Sequence, residues 1–331
     1  MKIALVMTND WELFGDGSGD YFSLQHQPLL NLLEMLKEYN AKITIMAEVC
    51  QQFAFNQLAN DHEFAKNISK SWESILKKVI SYKSDVQLHI HPQWLGFKYH
   101  NDSFHLNMNN WSLADHSLDT INTLITTGKE YLEFTLQKEF PNYKCIAFRA
   151  GAYCIQPSGN IINSLKLNKI LCDTSVTKGL YSNGFYNFRK APYLIFPWFT
   201  SADDVSKKGL KNIGIIEFPI YAQSGYNFPV LKKLFPNLYY KFKFGVSVPA
   251  EELNWQKERD EIKEKLYPKS QRFYKSNQVK DFRWLFSKII NKSPIQLDYD
   301  YIPPTVFIKI IKNIFNNRSE ERRVGKECRS R

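Results

Sequence analysis

Two histidines separated by a single residue, His89 and His91, lie in the stretch Val86-Gln-Leu-His-Ile-His-Pro-Gln-Trp94. Val86, Leu88 and Ile90 alternate with Gln87, His89 and His91, which is the period of a strand. Alternate side chains of a strand share a face, so both imidazoles point the same way. Pro92 removes the next ladder donor and ends the strand. Two imidazoles at a strand end are half of a divalent metal site; the plain alternative is a pair of polar side chains at a strand terminus. Asp10 and Glu12, just after the first apolar run, offer the carboxylate that such a site takes.

The elements that must hold these groups follow from the hydrophobic pattern. Lys2 to Thr8 reads as a buried first strand, and Leu29 to Leu36 mark an amphipathic helix of about 15 residues. Ala41 to Ala47 reads as a second strand, and this strand-helix-strand unit implies a parallel sheet. A helix is predicted over roughly 61 to 82, followed by the histidine strand and a polar loop with His100, His105 and His116, read as exposed. Asp115 to Lys138 is the next helix, Lys144 to Phe148 a fourth strand, Pro157 to Leu167 a short helix and Lys169 to Cys172 a fifth strand. Residues 177 to 210 are rich in turns and aromatics, and Asn212 to Ile220 is a further buried strand containing Glu217. The repeated βα rhythm predicts an α/β fold closed or partly closed into a barrel. Chemistry in such barrels sits at the C-terminal strand ends. Asp10 and Glu12, His89 and His91, Arg149 and Asp173 all fall at such ends.

The chain has 331 residues and is 44% hydrophobic, with 24 Phe, 18 Tyr and 7 Trp, enough for a substantial core. No run of 18 apolar residues occurs, and Met1 to Met7 is too short for a signal peptide, so the cytoplasm is the expected compartment. Cys50, Cys145, Cys154 and Cys172 are scattered, with no C-x-x-C, and read as reduced core residues. The last fourteen residues, 318–331, lack any apolar period and match the in-frame translation of a common sequencing adapter. They are expected to be an artefact in place of the natural C-terminus. They hold six Lys/Arg and three Asp/Glu, so the remainder carries +8 against +11 for the whole chain. That basic balance suits phosphate-bearing substrates or an anionic surface, but no nucleic-acid-binding signature is present.

Taken together, these segments resemble the polysaccharide deacetylases, the carbohydrate esterase family 4-like proteins. Thr8-Asn-Asp-Trp-Glu12 is similar to the family's Thr-Phe-Asp-Asp motif, and Val86 to Gln93 to its histidine motif. Phe148-Arg-Ala-Gly-Ala-Tyr-Cys-Ile-Gln-Pro157 is similar to its arginine motif, and Asp173-Thr-Ser-Val176 to an Asp-x-Ser segment of members from surface-polysaccharide gene clusters. The resemblance spans about residues 1 to 222. It implies a distorted (β/α)7 barrel holding a divalent metal, usually zinc, and removal of N- or O-linked acetyl groups from a sugar or oligosaccharide, free or lipid-linked. It implies Asp10, His89 and His91 as metal ligands, with Asp10 or Glu12 as general base, Arg149 orienting the base, and Trp94, Tyr153 and Asp173 on the substrate.

Three departures qualify that resemblance. The family's histidines stand four apart, and position 93 is Gln, so His91 takes the second ligand's place. Trp11 occupies the second acid position. No histidine follows His116, and Glu217 is the candidate for the missing late acid, for which a raised pKa is required. The alternatives are a related barrel hydrolase acting on another C–N or glycosidic bond, and a sugar-binding protein without catalysis. Residues 223–317 have no βα rhythm and read as a mostly helical C-terminal extension packed on the barrel. Within it, Leu231 to Phe244 is basic and aromatic; packing against the barrel is expected over resting on a membrane surface, because Pro236 interrupts any single amphipathic helix.

Overall fold

The structure, a computed structural model, describes residues 5–193, 195–211, 213–223, 228–266, 294–296 and 302–316. The adapter-like tail lies outside them. Seven strands form one sheet: β1 (Thr8–Trp11), β2 (Thr44–Glu48), β3 (Asp85–Ile90), β4 (Ala147–Ala150), β5 (Cys172–Asp173), β6 (Trp198–Phe199) and β7 (Ile216–Glu217). Their order is β1-β2-β3-β4-β5-β7-β6, parallel throughout except for the final β7–β6 pair. Five helices accompany the sheet, α1 (Gln27–Glu38), α2 (Val49–Leu58), α3 (Glu63–Ser81), α4 (Leu118–Gln137) and α5 (Gly159–Leu167). The class is therefore mixed α/β with a mostly parallel sheet.

The sheet curls. Adjacent strands lie about 4.8 Å apart, so β1 and β4, three ladders apart, would be about 14 Å from one another on a flat sheet. Yet Arg149 of β4 bonds both Asp10 and Thr8 of β1. Among the described residues no ladder joins β1 to β6.

The helices form where apolar residues recur at helical spacing. Leu29, Leu33 and Leu36 of α1, and Ile68, Trp72, Ile75, Leu76 and Val79 of α3, are buried. Each such side chain contributes roughly 1.5–3 kcal/mol on burial. Ser117 caps α4 by accepting the Thr120 N–H at 3.2 Å. Helix α2 was not legible in the sequence. Its buried residues include Gln51 and Gln52 as well as Val49 and Phe55, so it shows no polar-apolar contrast. The polar loop after Trp94 also carries an unexpected hairpin, Lys98–His100 paired with Ser103–His105, turned by Asn101 and Asp102. Both turn residues have positive φ, as a two-residue hairpin turn requires.

Strand boundaries differ from the sequence reading in a consistent direction. Strand β1 begins at Thr8, where the expected strand ended, and β4 begins at Ala147. Asp10 and Arg149 thus lie inside ladders and not in the loops beyond. The parallel register Asp10↔Met46 and His89↔Arg149 holds them there.

The C-terminal part contributes α6 (Pro229–Leu234), α7 (Pro236–Phe244), α8 (Ala250–Leu266) and α9 (Pro304–Asn316). It has an apolar cluster of its own, including Tyr239, Tyr240, Phe244, Ile302, Val306 and Ile310. A short ladder, Ala222–Gln223 with Ile295–Gln296, and a 2.9 Å bond from Gln296 Nε2 to Thr177 Oγ1 connect it to the first part. No helix among the described residues is long and apolar enough to cross a membrane.

Candidate metal centre

Thr8, Asp10 and Glu12 alternate with Trp11, whose side chain packs into the core against Trp72 and Tyr21. The period of two therefore sends both acids toward the inner face of the curl. On β3 and just past it, His89 and His91 are buried with their rings 4.8 Å apart. Glu12 Oε2 lies 2.6 Å from His91 Nε2 and 3.5 Å from His89 Nε2. Neither Nε2 has a partner in hydrogen-bond alignment, although both are buried. One ligand atom from each of Glu12, His89 and His91 lies within 4.8 Å of the others. A carboxylate and two imidazoles whose inner nitrogens are otherwise unused suit a divalent ion, so this donor set fits the metal that the sequence implies.

Both imidazoles of the group are held from behind. His89 Nδ1 donates to the Arg149 carbonyl at 2.8 Å, which leaves Nε2 as the lone-pair nitrogen of the neutral ring. The Gln93 amide nitrogen lies 2.7 Å from His91 Nδ1 and 3.2 Å from the Gly15 carbonyl. Gln93, where the sequence comparison expected a second histidine, thus contacts the back of His91. The backbone N–H of His91 donates to Glu48 Oε1 at 2.6 Å, while Glu48 Oε2 accepts the Gln51 N–H and caps α2. Gly151 packs directly on His91: a Cβ there would lie 2.7 Å from the ring's Cγ. Trp111 meets the outer edge of the His91 ring, centroids 6.1 Å apart.

Asp10 is not one of this group of three and pairs with Arg149 Nη1. The sequence reading placed Asp10 on the metal with Glu12 as the other acid; the structure brings Glu12 to both histidines instead. Arg149 is almost wholly buried and fully engaged. Its Nε donates to the Thr174 carbonyl at 2.9 Å, and Nη2 donates to Thr8 Oγ1 at 2.8 Å and Thr174 Oγ1 at 3.2 Å.

Charge follows this geometry. Crowding by protein atoms works against an ionised Glu12, but His91 and His89 outweigh it and hold its carboxyl well below the usual carboxylate range. Burial opposes a charged His89, yet Asp10 and Glu12 beside it raise its pKa. Burial pushes Glu48 up to about 8 against the pull of His91 and two backbone N–H donors. Burial also works against the Arg149 charge, and Asp10 together with Tyr153 and Asp173 more than offsets it.

Asp173 and Glu217 face one another across the β5–β7 register, both wholly buried. Asp173 accepts the Ser175 hydroxyl at 2.7 Å and the Ser175 N–H at 3.0 Å; Glu217 Oε1 accepts the Val176 N–H at 3.0 Å. Burial and the Asp173 charge push Glu217 up, and burial raises Asp173. Burial and the neighbouring Asp173 charge therefore both favour the protonated form of Glu217. Trp94 is buried among Phe55 and Phe104, whereas Tyr153 is half-buried with φ +60° just after the Arg149 strand. His100 and His105 are exposed and stack on the hairpin at 3.8 Å, and His116 is half-buried; none joins the convergent group.

Glu48, Gly151 and Trp111 were not singled out from sequence. Only Glu48 carries a local signal, a carboxylate at a strand end three residues ahead of the N–H that it caps.

No protein-family model and no curated protein matches the chain. Among solved structures it is similar to a chain from Mycobacterium smegmatis named as a suspected polysaccharide deacetylase, at 13% identity and TM-score 0.36, over 65% of this chain and 57% of that one. It is also similar to a 4-alpha-glucanotransferase from Thermococcus litoralis, at 13% identity and TM-score 0.34, over 76% of this chain and 30% of that one. The chain spans little over half of the first structure and under a third of the second.

Proposed function

We propose that the protein is a metal-dependent hydrolase that removes an N- or O-linked acetyl group from a sugar of cell-surface polysaccharide. The observation that supports this reading is the convergence of Glu12, His89 and His91, with both inner nitrogens turned to the Glu12 carboxylate, beside the Asp10–Arg149 pair. Glu12, His89 and His91 would hold the metal. When bound, such an ion supplies Lewis-acid polarisation of the acetyl carbonyl and eases ionisation of water.

The remaining steps belong to the chain. Asp10 is the general base: its carboxylate stays partly open to solvent, with 26% of the side chain exposed, while Arg149 fixes its orientation. Thr8 and Thr174 in turn hold the guanidinium. Glu217 was the sequence candidate for the late acid, but at 0% exposure it is out of reach of a substrate. Its place beside Asp173 makes it a positioning group for the Asp173–Arg149–Asp10 array. Tyr153, emerging from the Arg149 strand, is the group that meets the sugar.

The test is metal content of protein purified without a histidine tag, compared with the double variant His89→Ala and His91→Ala, followed by acetate release from N- and O-acetylated oligosaccharides. The expected result is about one divalent ion per chain, absent from the double variant, with turnover that follows the metal. Protein that binds no ion at micromolar supply would overturn the reading. A metal-loaded protein that binds acetylated sugars without releasing acetate would make it a sugar-binding protein.

A further inference from the structure

Helices α6 and α7 are apolar on two sides. One side, with Tyr239, Tyr240 and Phe244, is buried in the C-terminal cluster against Val306 and Ile310. The other carries Leu234, Phe235, Leu238 and Phe242, each between 56% and 70% exposed, with Val230 beside them at 42%. Leu238 and Phe242 are one turn apart on α7, opposite Tyr240 and Phe244. Phe242 meets Phe228 edge-on at 5.7 Å, which joins the start of α6 to the end of α7. Soluble monomers seldom expose this many large apolar side chains contiguously.

The charge along this segment of the chain has one sign. Between Glu217 and Glu251 the chain carries four lysines, Lys232, Lys233, Lys241 and Lys243, and no carboxylate. Lys233 and Lys241 are exposed beside the apolar row. Large apolar side chains interleaved with lysines along the chain are the composition of a helix that lies in the headgroup region of an anionic bilayer. A protein partner would have to match an unbroken apolar ridge with acidic groups at its rim. A bilayer offers both through its acyl boundary and headgroups.

We infer that the α6–α7 ridge docks the protein on an anionic membrane surface, with Leu234, Phe235, Leu238 and Phe242 entering the interface and Lys233 and Lys241 meeting lipid phosphates. The inference is independent of the metal centre. If that centre acts on sugars as proposed, docking would bring it to a substrate carried on the membrane.

The test is flotation of the full chain with vesicles of phosphatidylcholine and phosphatidylglycerol at roughly three to one, and with phosphatidylcholine alone, at low and high salt. The variants are Leu238→Asn with Phe242→Asn, and Lys233→Glu with Lys241→Glu. All four side chains are exposed, so the core of the C-terminal part is unaltered, and circular dichroism checks this. The basic tail is common to every protein compared, so its charge cancels. The expected result is flotation with anionic vesicles that salt weakens and that each pair of substitutions reduces about tenfold or more. No flotation of the parent, or equal flotation of parent and variants, would overturn the inference. So would a concentration-dependent dimer that the Leu238→Asn, Phe242→Asn pair converts to monomer without vesicle binding, which would make the ridge an interface between two copies.

Discussion

Across the β3–β4 ladder His89 faces Arg149, and His89 Nδ1 donates to the Arg149 backbone carbonyl at 2.8 Å. One residue thus serves both halves of the site. Its backbone fixes the tautomer of an imidazole in the convergent group, and its side chain holds Asp10. The two carboxylates are separated by this arrangement: Glu12 is left to the imidazoles, and Asp10 to the guanidinium.

The first consequence is a division of labour between two acids two residues apart. Glu12→Gln is expected to lower bound metal to background. Asp10→Asn is expected to keep the metal and lose about 10²–10⁴ in kcat, the range for a general base. Metal analysis and acetate release on the two proteins check this, and loss of metal from Asp10→Asn would exchange the roles.

Arg149→Lys replaces three hydrogen-bonding nitrogens by one. A single ammonium does not reach Asp10, Thr8 and the Thr174 carbonyl together, so buried acceptors are left without partners. The expected cost is about 1–3 kcal/mol in urea unfolding. Because the guanidinium aims the base without touching substrate in this scheme, kcat falls while KM holds.

Gly151 is required for close approach, not for its backbone angles. A methyl group there would lie 2.7 Å from the His91 ring and equally close to the Ile90 carbonyl. The backbone oxygen cannot retreat without disturbing the ladder, so the ring shifts. Gly151→Ala is expected to cost about 1–3 kcal/mol by overpacking and to weaken metal binding about 10–100-fold, as loss of a ligand's support does. Metal titration with a competing chelator measures the second effect separately from unfolding.

The Asp173–Glu217 pair gives a pH signature. Its raised pKa means that folded Glu217 keeps a proton which the unfolded chain releases near its ordinary value of 4.5. Native protein then binds more protons than unfolded protein above that pH, and this site's contribution to stability falls as pH rises. Gln cannot ionise, yet its amide can still donate to Asp173 and accept from the Val176 N–H. Glu217→Gln is therefore expected to gain stability relative to the parent as pH rises from 5 to 8. Urea unfolding at the two pH values checks the sign, and a difference that is flat or reversed would show that Glu217 does not hold its proton in the folded protein.

The sequence by itself determined the local order of the site. Alternation places His89 and His91 on one face of a strand, and the same period places Asp10 with Glu12. The βα rhythm determined a parallel sheet and put chemistry-bearing residues at its C-terminal end. These properties depend on neighbours in the chain and are written in its periodicity. Which acid reaches the imidazoles is a different matter. Asp10 and Glu12 are equivalent by period, and only the curl of the sheet, which brings β4 within reach of β1, gives Asp10 to Arg149. The same holds for Glu48 beneath His91 and Gly151 against its ring: both lie on other strands or turns, at separations that no local pattern encodes. The helix α2 was hidden because burial on all sides erases amphipathic contrast. The exposed ridge of α6–α7 was hidden for the opposite reason: its apolar residues look alike in sequence, and only packing separates Tyr240 and Phe244, which are covered, from Leu238 and Phe242, which are not.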